Sequence, residues 1–275
     1  MLAALAAALL IVSPGSWVDS RHGWDARAGC TPFGFLCSTE DGGRTWHGIY
    51  VGSRIDNFVR ASYSAGAVDD EEVGTFWTRD NGRHWYRTTR IPPTALWRAD
   101  PARFYASAGA SIVRIVGWPP RGAVHCAGRW SANTGAYPPG TGHGRLRRNV
   151  CLGSSQNAGL HARRVVHLAG ASVADFRLVP GGFAGVALAL PDAEAPYVLD
   201  AFVWRRGGLR VTSLRVPAHT RLNSDLYEFF ASWPNLYIHT IVGRDWTDAG
   251  SAGVAGGDVV FVSGDGGATW TEIGP

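Results

Sequence analysis

One eight-residue stretch decides the fold: residues 39–46 have the sequence TEDGGRTW, repeated as TRDNGRHW at 78–85 and SGDGGATW at 263–270. We name these three stretches the repeat turns. Each follows a run of β-branched or aromatic residues and opens a second run, which is typical of a β-hairpin. The aspartate can accept hydrogen bonds from the backbone of its own turn, and the glycine can adopt a positive φ. The pattern therefore predicts hairpins in which a tryptophan opens the outgoing strand.

Two weaker copies share this spacing. Residues 155–161 have the sequence SQNAGLH, and residues 204–208, WRRGG, keep only the glycines. Self-similarity at a spacing of several tens of residues is typical of stacked units that cannot fold alone. A feature repeated in this way cannot be a unique active site. We therefore predict a structural role for the conserved turn positions, which are Asp41, Gly43, Trp46, Asp80, Gly82, Trp85, Asn157, Gly159, Asp265, Gly267 and Trp270.

The repeat turns resemble the Asp-box, also called the BNR repeat, of sialidase-type β-propellers. Gly23-Trp24 ahead of the first turn is most similar to the photosystem II assembly-factor-like and sortilin-like branches. The resemblance extends over the chain after residue 15. It implies an all-β β-propeller of four-stranded antiparallel blades, with the turns between strands C and D. Because that superfamily contains enzymes, assembly factors and receptors, the resemblance implies no single function.

The spacing of the turns predicts five blades in a single domain over residues 16–275. A sixth blade remains open, since Asp80 and Asn157 are nearly twice as far apart in sequence as Asp41 and Asp80. The third blade is expected to start near Ser111. The predicted limits of the other blades are 16–53, 56–90, 173–216 and 225–273.

Composition narrows the function classes. The chain has 275 residues, 36 of them glycine and 12 tryptophan, which suits an all-β protein rich in tight turns. The net charge is +4, and the basic residues are all arginine, spread along the chain without the stripe that nucleic acid would need. The absence of lysine excludes a P-loop and a Schiff-base lysine. We therefore predict no nucleic-acid partner and no cofactor.

The first residues predict export. Leu2 to Val12 form an apolar run that is too short to span a membrane but fits a signal-peptide core, so we expect a leader over residues 1–15, an extracytoplasmic location and no transmembrane span. The even number of cysteines fits an oxidising compartment. We predict the disulfides Cys30–Cys37 and Cys126–Cys151, each joining strands B and C of one blade. Their spacing does not suit zinc, so we predict no metal site.

Three long segments are expected on the face opposite the repeat turns, because the strands of a blade alternate in direction. They are 93–108 between strands D and A, and 129–148 and 245–257 between strands B and C. Their aromatic and arginine side chains are typical anchors of a binding surface. We predict a ligand surface at the channel mouth formed by Trp97, Arg98, Arg103, Trp130, Tyr137, Arg147, Asp245 and Trp246.

Three functions follow from these patterns. The leading hypothesis is an exported, non-enzymatic, monomeric β-propeller that binds a protein or a glycan. The alternative is a sialidase-type glycoside hydrolase, because residues 90–92 resemble the Arg-Ile-Pro element of sialidases, although they follow the second turn instead of preceding the first. Tyr227 and Glu228 are neighbours on a strand and point to opposite faces, which disfavours catalysis. The eroded turn copies favour a third reading, a decayed, non-functional paralogue.

Overall fold

The computed structural model describes residues 15–26, 35–51, 55–70, 74–92, 96–120, 128–130, 149–152, 159–189, 199–215, 220–244 and 257–273. All regular structure within these ranges is strand, 22 strands in five sheets. None of these residues forms a helix that is long and apolar enough to cross a membrane. Each sheet contains a four-stranded unit, the blade of a β-propeller. The predicted all-β propeller class with five blades is confirmed.

The blades follow one another along the chain. Blade one contains β1 (Ser16–Trp17), β2 (Gly23–Asp25), β3 (Phe35–Thr39) and β4 (His47–Val51). Blade two contains β5 (Ile55–Arg60), β6 (Gly66–Asp70), β7 (Gly74–Thr78) and β8 (His84–Thr88). Blade three contains β9 (Trp97–Ala99), β10 (Phe104–Ala108), β11 (Ser111–Val116) and β14 (His161–His167). Two strands outside this blade, β12 (Gly128–Trp130) and β13 (Asn149–Leu152), lie between β11 and β14 in sequence. Blade four contains β15 (Ala171–Val179), β16 (Gly182–Ala189), β17 (Leu199–Arg205) and β18 (Gly208–Leu214). Blade five contains β19 (Thr220–Ser232), β20 (Asn235–Arg244), β21 (Gly257–Ser263) and β22 (Thr271–Ile273).

Contacts divide the chain into two compact units. The first comprises residues 1–106 with 114–163 and holds blades one and two. The second comprises residues 107–113 with 164–275 and holds blades four and five. The strands of blade three are divided between the units.

Blade three differs from the prediction. It begins at Trp97, not near Ser111, and Ser111–Val116 is its third strand, not its first. The buried Trp97 and Phe104 place β9 and β10 in the core, where the sequence suggested a long connection. The segment 117–160 is consequently an insertion between the third and fourth strands.

The inserted hairpin joins blade two, so it does not form a sixth blade. Strand β13 lies parallel to β8, with Asn149 opposite His84 and Cys151 opposite Tyr86. Strand β12 pairs antiparallel with β13 on its outer side. The resulting sheet has six strands in the order β12-β13-β8-β7-β6-β5.

Neighbouring blades within each unit share a core. In the first unit, one cluster joins blades one and two through Trp24, Leu36, Ile49, Val68, Phe76 and Trp85. In the second unit, another joins blades four and five and includes Val186, Ala201, Val203, Phe229, Leu236 and Ile238. Strand alternation puts these apolar side chains on the facing surfaces of adjacent sheets, and their burial is the main stabilising contribution.

Each repeat turn is bonded to the turn between strands A and B of its own blade. Backbone N–H groups of the repeat turns donate to A–B carbonyls over 2.9, 2.8 and 2.9 Å, in the pairs Gly42 to Arg21, Asn81 to Ser64 and Gly266 to Pro234. The donor residues have φ of 79°, 54° and 72°, which favours glycine or asparagine at this position. The repeat turns and the A–B turns therefore lie at the same end of their blades.

Candidate protein-binding cleft

The aspartate carboxylates of the repeat turns accept hydrogen bonds from residues of their own turns. Asp41 Oδ1 accepts hydrogen bonds from the Thr45 N–H at 2.9 Å and the Thr39 hydroxyl at 2.9 Å, and Oδ2 accepts from the Thr45 hydroxyl at 2.6 Å. These bonds hold the pKa of the Asp41 carboxyl well below its ordinary value. Asp265 accepts the equivalent bonds from Thr269 and Ser263, and its pKa is lowered in the same way. Such carboxylates order a turn and are unsuited to proton transfer.

The second and third repeat turns pack against the preceding blade. A Cβ added to Gly82 would lie 2.7 Å from Cβ of Ile49, and one added to Gly267 would lie 2.7 Å from Cγ2 of Val203. The Trp85 indole donates to the carbonyl of Ile49 at 2.9 Å. In the first turn, Trp46 donates instead to the carbonyl of its own Gly43.

The two weaker copies of the turn differ in backbone conformation and in how much of each is described. Gly159 has φ of 79° just before β14, whereas Asn157 lies outside the described residues. In blade four, Arg206 and Gly207 both have positive φ, 52° and 81°, and Arg205 pairs with Gly208. This is a two-residue type I′ hairpin turn, which matches the twist of the strands it joins.

Of the predicted binding residues, the structure describes the side chains of Trp97, Arg98 and Arg103. Trp97 is buried, and its indole donates to the carbonyl of Pro92 at 3.0 Å, so it is a core residue. Arg98 donates to the Trp97 carbonyl, and Arg103 forms an ion pair with Asp100. The side chain of Trp130 and the residues Tyr137, Arg147, Asp245 and Trp246 lie outside the described residues.

The expected position of 129–148 is corrected by strand pairing. Trp130 pairs with Val150 and Asn149 with His84, so the strand ends that this segment connects lie at the repeat-turn end of blade two. The prediction failed because β12 and β13 are inserted after a third strand. Residues 245–256 connect β20 to β21 at the end opposite the third repeat turn, where the sequence placed them.

The disulfide predictions fall largely outside the described residues. Cys37, in β3, is disulfide-bonded. Its predicted partner Cys30 and the other cysteine Cys126 are not described, and only the backbone of Cys151 is. The pairings therefore stay predictions.

A cleft of about 410 Å³ lies between the ends of blades four and five. Arg205 and Val203 line it from β17, Leu209 and Arg210 from β18, and Trp233 from the A–B turn of blade five. The third repeat turn closes one side with Asp265 and Gly266. Tight turns of two adjacent blades thus build this site without any long loop.

Arg205 and Trp233 hold each other in place. The Arg205 guanidinium lies 4.3 Å from the centroid of the Trp233 ring, and its Nε donates to the carbonyl of Pro180 at 2.8 Å. The edge of the ring rests on Gly266, where an added Cβ would lie 2.4 Å from it. A guanidinium stacked on an aromatic ring keeps its outer N–H groups available in a fixed plane.

The charge of the cleft is positive. Arg205 and Arg210 line it and Arg206 is the exposed residue of the adjoining turn, whereas Asp265 is the single acidic residue among the lining side chains. That carboxylate already accepts bonds from Ser263, Ala268 and Thr269. Leu209, 41% exposed, supplies apolar surface beside the arginines. The cleft suits an anionic group with an apolar neighbour.

The structure describes two of the sialidase-like residues, Arg90 and Glu228, each with its own local contacts. Arg90 is exposed at the end of blade two, and its N–H donates to the Thr88 hydroxyl. Glu228 is 58% exposed and lies 3.6 Å from His239 Nδ1. The two groups belong to different units.

The cleft was not predicted from the sequence, because the predicted binding residues were all placed on long connecting segments. The one usable signal was the pair of arginines at 205 and 206 in the position of a repeat turn. Trp233 precedes a proline and a strand and has no motif around it. Its proximity to Arg205 depends on how two blades pack.

The fold defines a class, the β-propellers with five blades. Among solved structures, the chain is similar to "YCF48 bound to D1 peptide", with 15% identity, a TM-score of 0.44, and coverage of 94% of this chain and 80% of that one. It is also similar to YCF48 from Cyanidioschyzon merolae, with 13% identity, a TM-score of 0.42, and coverage of 94% and 83%. Likeness at this level carries no argument about function. No family model and no curated protein matches the chain.

Proposed function

We propose that this chain is an exported, non-enzymatic β-propeller scaffold that binds an acidic segment of a protein partner in the cleft of blades four and five. The observation that carries the proposal is the pair of Arg205 and Trp233. Because stacking and the bond to Pro180 fix the guanidinium, little side-chain entropy is lost when a carboxylate binds to it. Charge-assisted bonds between arginine and carboxylate are among the stronger polar contacts.

The surroundings of the pair favour a protein over a sugar. Arg205 already covers a face of the Trp233 ring, and the ring edge rests on Gly266, which reduces the free aromatic surface on which a sugar could stack. Leu209 and Arg210 are exposed beside the pair and offer alternating apolar and cationic contacts. An extended peptide with apolar and acidic side chains matches that alternation.

Among the described residues that line the cleft, Asp265 supplies the one carboxyl. General acid catalysis needs a carboxyl whose pKa lies near the working pH. Hydrogen bonds from Thr269 hold the pKa of the Asp265 carboxyl well below its ordinary value, and therefore far from neutral pH. This supports binding rather than catalysis at the cleft.

Export is supported by two features. The apolar run from Leu2 to Val12 fits a signal-peptide core, and Cys37 is disulfide-bonded, which is typical of oxidising compartments. Expression of the full chain in a bacterium, followed by fractionation and thiol labelling, tests this part. Recovery in the cytoplasm with reactive thiols would contradict it.

Three fluorescein-labelled decapeptides test binding at the cleft. They alternate valine with glutamate, glutamine or lysine, and fluorescence anisotropy measures their affinity. We expect binding of the glutamate peptide alone, weakened at least about tenfold by Arg210→Glu because an attractive charge becomes repulsive. Arg163→Glu, on an exposed arginine of β14, is the matched control and should leave the affinity unchanged. Equal losses in both variants, or equal binding of all three peptides, would contradict the proposal.

Two further assays distinguish the alternatives. A glycan array that returned a ligand lost in Arg210→Glu would replace the protein partner by a sugar. Turnover of a 4-methylumbelliferyl sialoside that disappeared in Arg90→Ala would favour the hydrolase instead.

A further inference from the structure

The outer edge of blade two carries an added strand from within this chain. Strand β13 lies parallel to β8, the last strand of the blade, over the pairs Asn149–His84, Val150–Trp85 and Cys151–Tyr86. The last strand of a blade is therefore able to accept a further strand in this protein. The last strand of blade four, β18, is an edge of its sheet in the described structure.

Strand β18 has the features of an open edge. It pairs with β17 over seven consecutive residues without a register shift. Its sequence, GLRVTSL, contains no proline and one charged residue, Arg210. Leu209 and Val211 are 41% and 43% exposed. A long, regular, partly apolar edge is a ready template for pairing with another strand.

The other described edge strands of this length are protected. Strands β15 and β19 have register shifts at residues 173–175 and 222–227, which interrupt a continuous ladder. Strand β14 exposes Arg163 and Arg164 in sequence, a charged edge that disfavours pairing. Among the described edges of seven or more residues, β18 stands apart in having neither kind of protection.

The hairpin turn fixes which backbone groups of β18 point outward. Arg205 and Gly208 flank a two-residue turn and form a hydrogen-bonded pair, so alternate residues of β18 bond to β17. The N–H and C=O groups of Leu209, Val211 and Ser213 consequently point away from the sheet. The side chains alternate as well, with Leu209 and Val211 on one face and Arg210 on the other. Leu209 and Arg210, which follow the turn directly, both line the cleft.

We propose that the partner segment binds as a fifth strand of blade four, hydrogen-bonded to the outer edge of β18. The proposal rests on the cleft being the binding site. The added strand places apolar side chains beside Leu209 and Val211 and acidic side chains beside Arg210 and Arg205. Backbone pairing supplies affinity, and the alternation of acidic and apolar residues supplies specificity, as in other strand-addition complexes.

Backbone-modified peptides test the strand addition. The alternating valine–glutamate decapeptide is compared with the same peptide N-methylated at every second residue, which removes hydrogen-bond donors and keeps the side chains. Fluorescence anisotropy should show at least a tenfold loss for one of the two possible methylation registers. Hydrogen exchange should slow about tenfold at the amides of Leu209, Val211 and Ser213 when the unmodified peptide binds.

The protein-side variant is Val211→Pro, which removes an outward N–H and no bond to β17. It should weaken binding at least tenfold, whereas Val211→Ala should stay within about threefold. Unchanged exchange at Arg210 and Thr212 and an unchanged melting temperature show that blade four is folded. If Val211→Pro fails to fold, the N-methylated peptides still test whether the segment binds as an added strand.

The outcomes separate this proposal from the one on which it rests. Strand addition would be overturned if Val211→Pro and the N-methylated peptides still bound and the amides gained no protection. If Arg210→Glu abolished binding in the same experiments, the cleft would remain the binding site. Failure of every acidic peptide to bind would overturn both.

Discussion

The indole Nε1 of Trp24, in blade one, donates a hydrogen bond to Oδ1 of Asn81, in the second repeat turn, over 3.1 Å. The same oxygen accepts from the Ser38 hydroxyl at 3.3 Å, and the Asn81 Nδ2 donates to Glu40 at 3.4 Å. Asn81 occupies the position that is glycine in the other two repeat turns and has φ of 54°. One residue thus combines a turn conformation with a bridge between two blades.

Asn81→Gly should lower the free energy of unfolding by roughly 1–3 kcal/mol, because the fully buried Trp24 loses its acceptor while the backbone conformation remains accessible. Urea unfolding followed by tryptophan fluorescence measures the change. Glu40→Ala removes the exposed, longer contact to Asn81 and should cost less than about 0.5 kcal/mol. Similar losses in both variants would show that the bridge to Trp24 contributes no more to the free energy of unfolding than the contact to Glu40.

Gly82→Ala should destabilise the protein more than Gly159→Ala. Both glycines have φ of 79°, so the backbone strain is matched. A methyl group at 82 would press on Ile49, whereas at 159 none of the described residues lies within 4 Å. We expect a difference of about 1–3 kcal/mol in unfolding free energy, the typical cost of overpacking. Equal losses would mean that the turn of blade two does not pack closely on blade one.

His84→Thr should preserve the second repeat turn, whereas His84→Ala should weaken it by about 1 kcal/mol. The His84 ring bonds to Asp80 Oδ2, and threonine hydroxyls make this bond to Asp41 and Asp265 in the other turns at 2.6 and 2.7 Å. Thermal unfolding compares the variants, with Thr45→Ala as the equivalent change in turn one. A threonine variant as unstable as the alanine variant would argue against a shared turn chemistry.

Acid should destabilise the protein through the repeat turns. Hydrogen bonds from Thr45 and Thr269 lower the folded-state pKa of Asp41 and Asp265 below the ordinary 3.8. The unfolded chain therefore binds more protons as the pH falls, and this contribution to stability, complete above about pH 5, is lost progressively below about pH 4. Urea unfolding from pH 5 to 2 should show a shallower decline for Asp265→Asn than for the natural chain. Parallel declines would exclude a contribution from Asp265.

The four cysteines should form two disulfide bonds, Cys30–Cys37 and Cys126–Cys151. Cys37 is disulfide-bonded, and the nearest other cysteine in sequence is Cys30, seven residues before it. Peptide mapping without reduction identifies the pairs. A peptide linking Cys37 to Cys126, or free thiols at 126 and 151, would refute the prediction.

The sequence by itself determined the features that depend on local chemistry. An aspartate two residues before a glycine, with a hydroxyl or imidazole donor four residues after it, forms its hydrogen bonds within eight residues. Asp41, Asp80 and Asp265 could therefore be located without any tertiary information. The apolar residues around these turns were enough to place blades one, two and five, and the weaker copy at 204–208 marked the last turn of blade four. The number of blades followed from the repeat spacing.

Only the tertiary structure decided which strands pair where no repeat turn marks the register. Trp97 belongs to a buried first strand of blade three, and β13 joins the edge of β8 from an insertion, because strand pairing between segments far apart in sequence is decided by available edges and burial. The cleft likewise depends on packing, since Arg205 and Trp233 come together through the shared core of blades four and five. Local sequence specifies a turn because its bonds are local, whereas a site built between two blades exists only once their faces have packed.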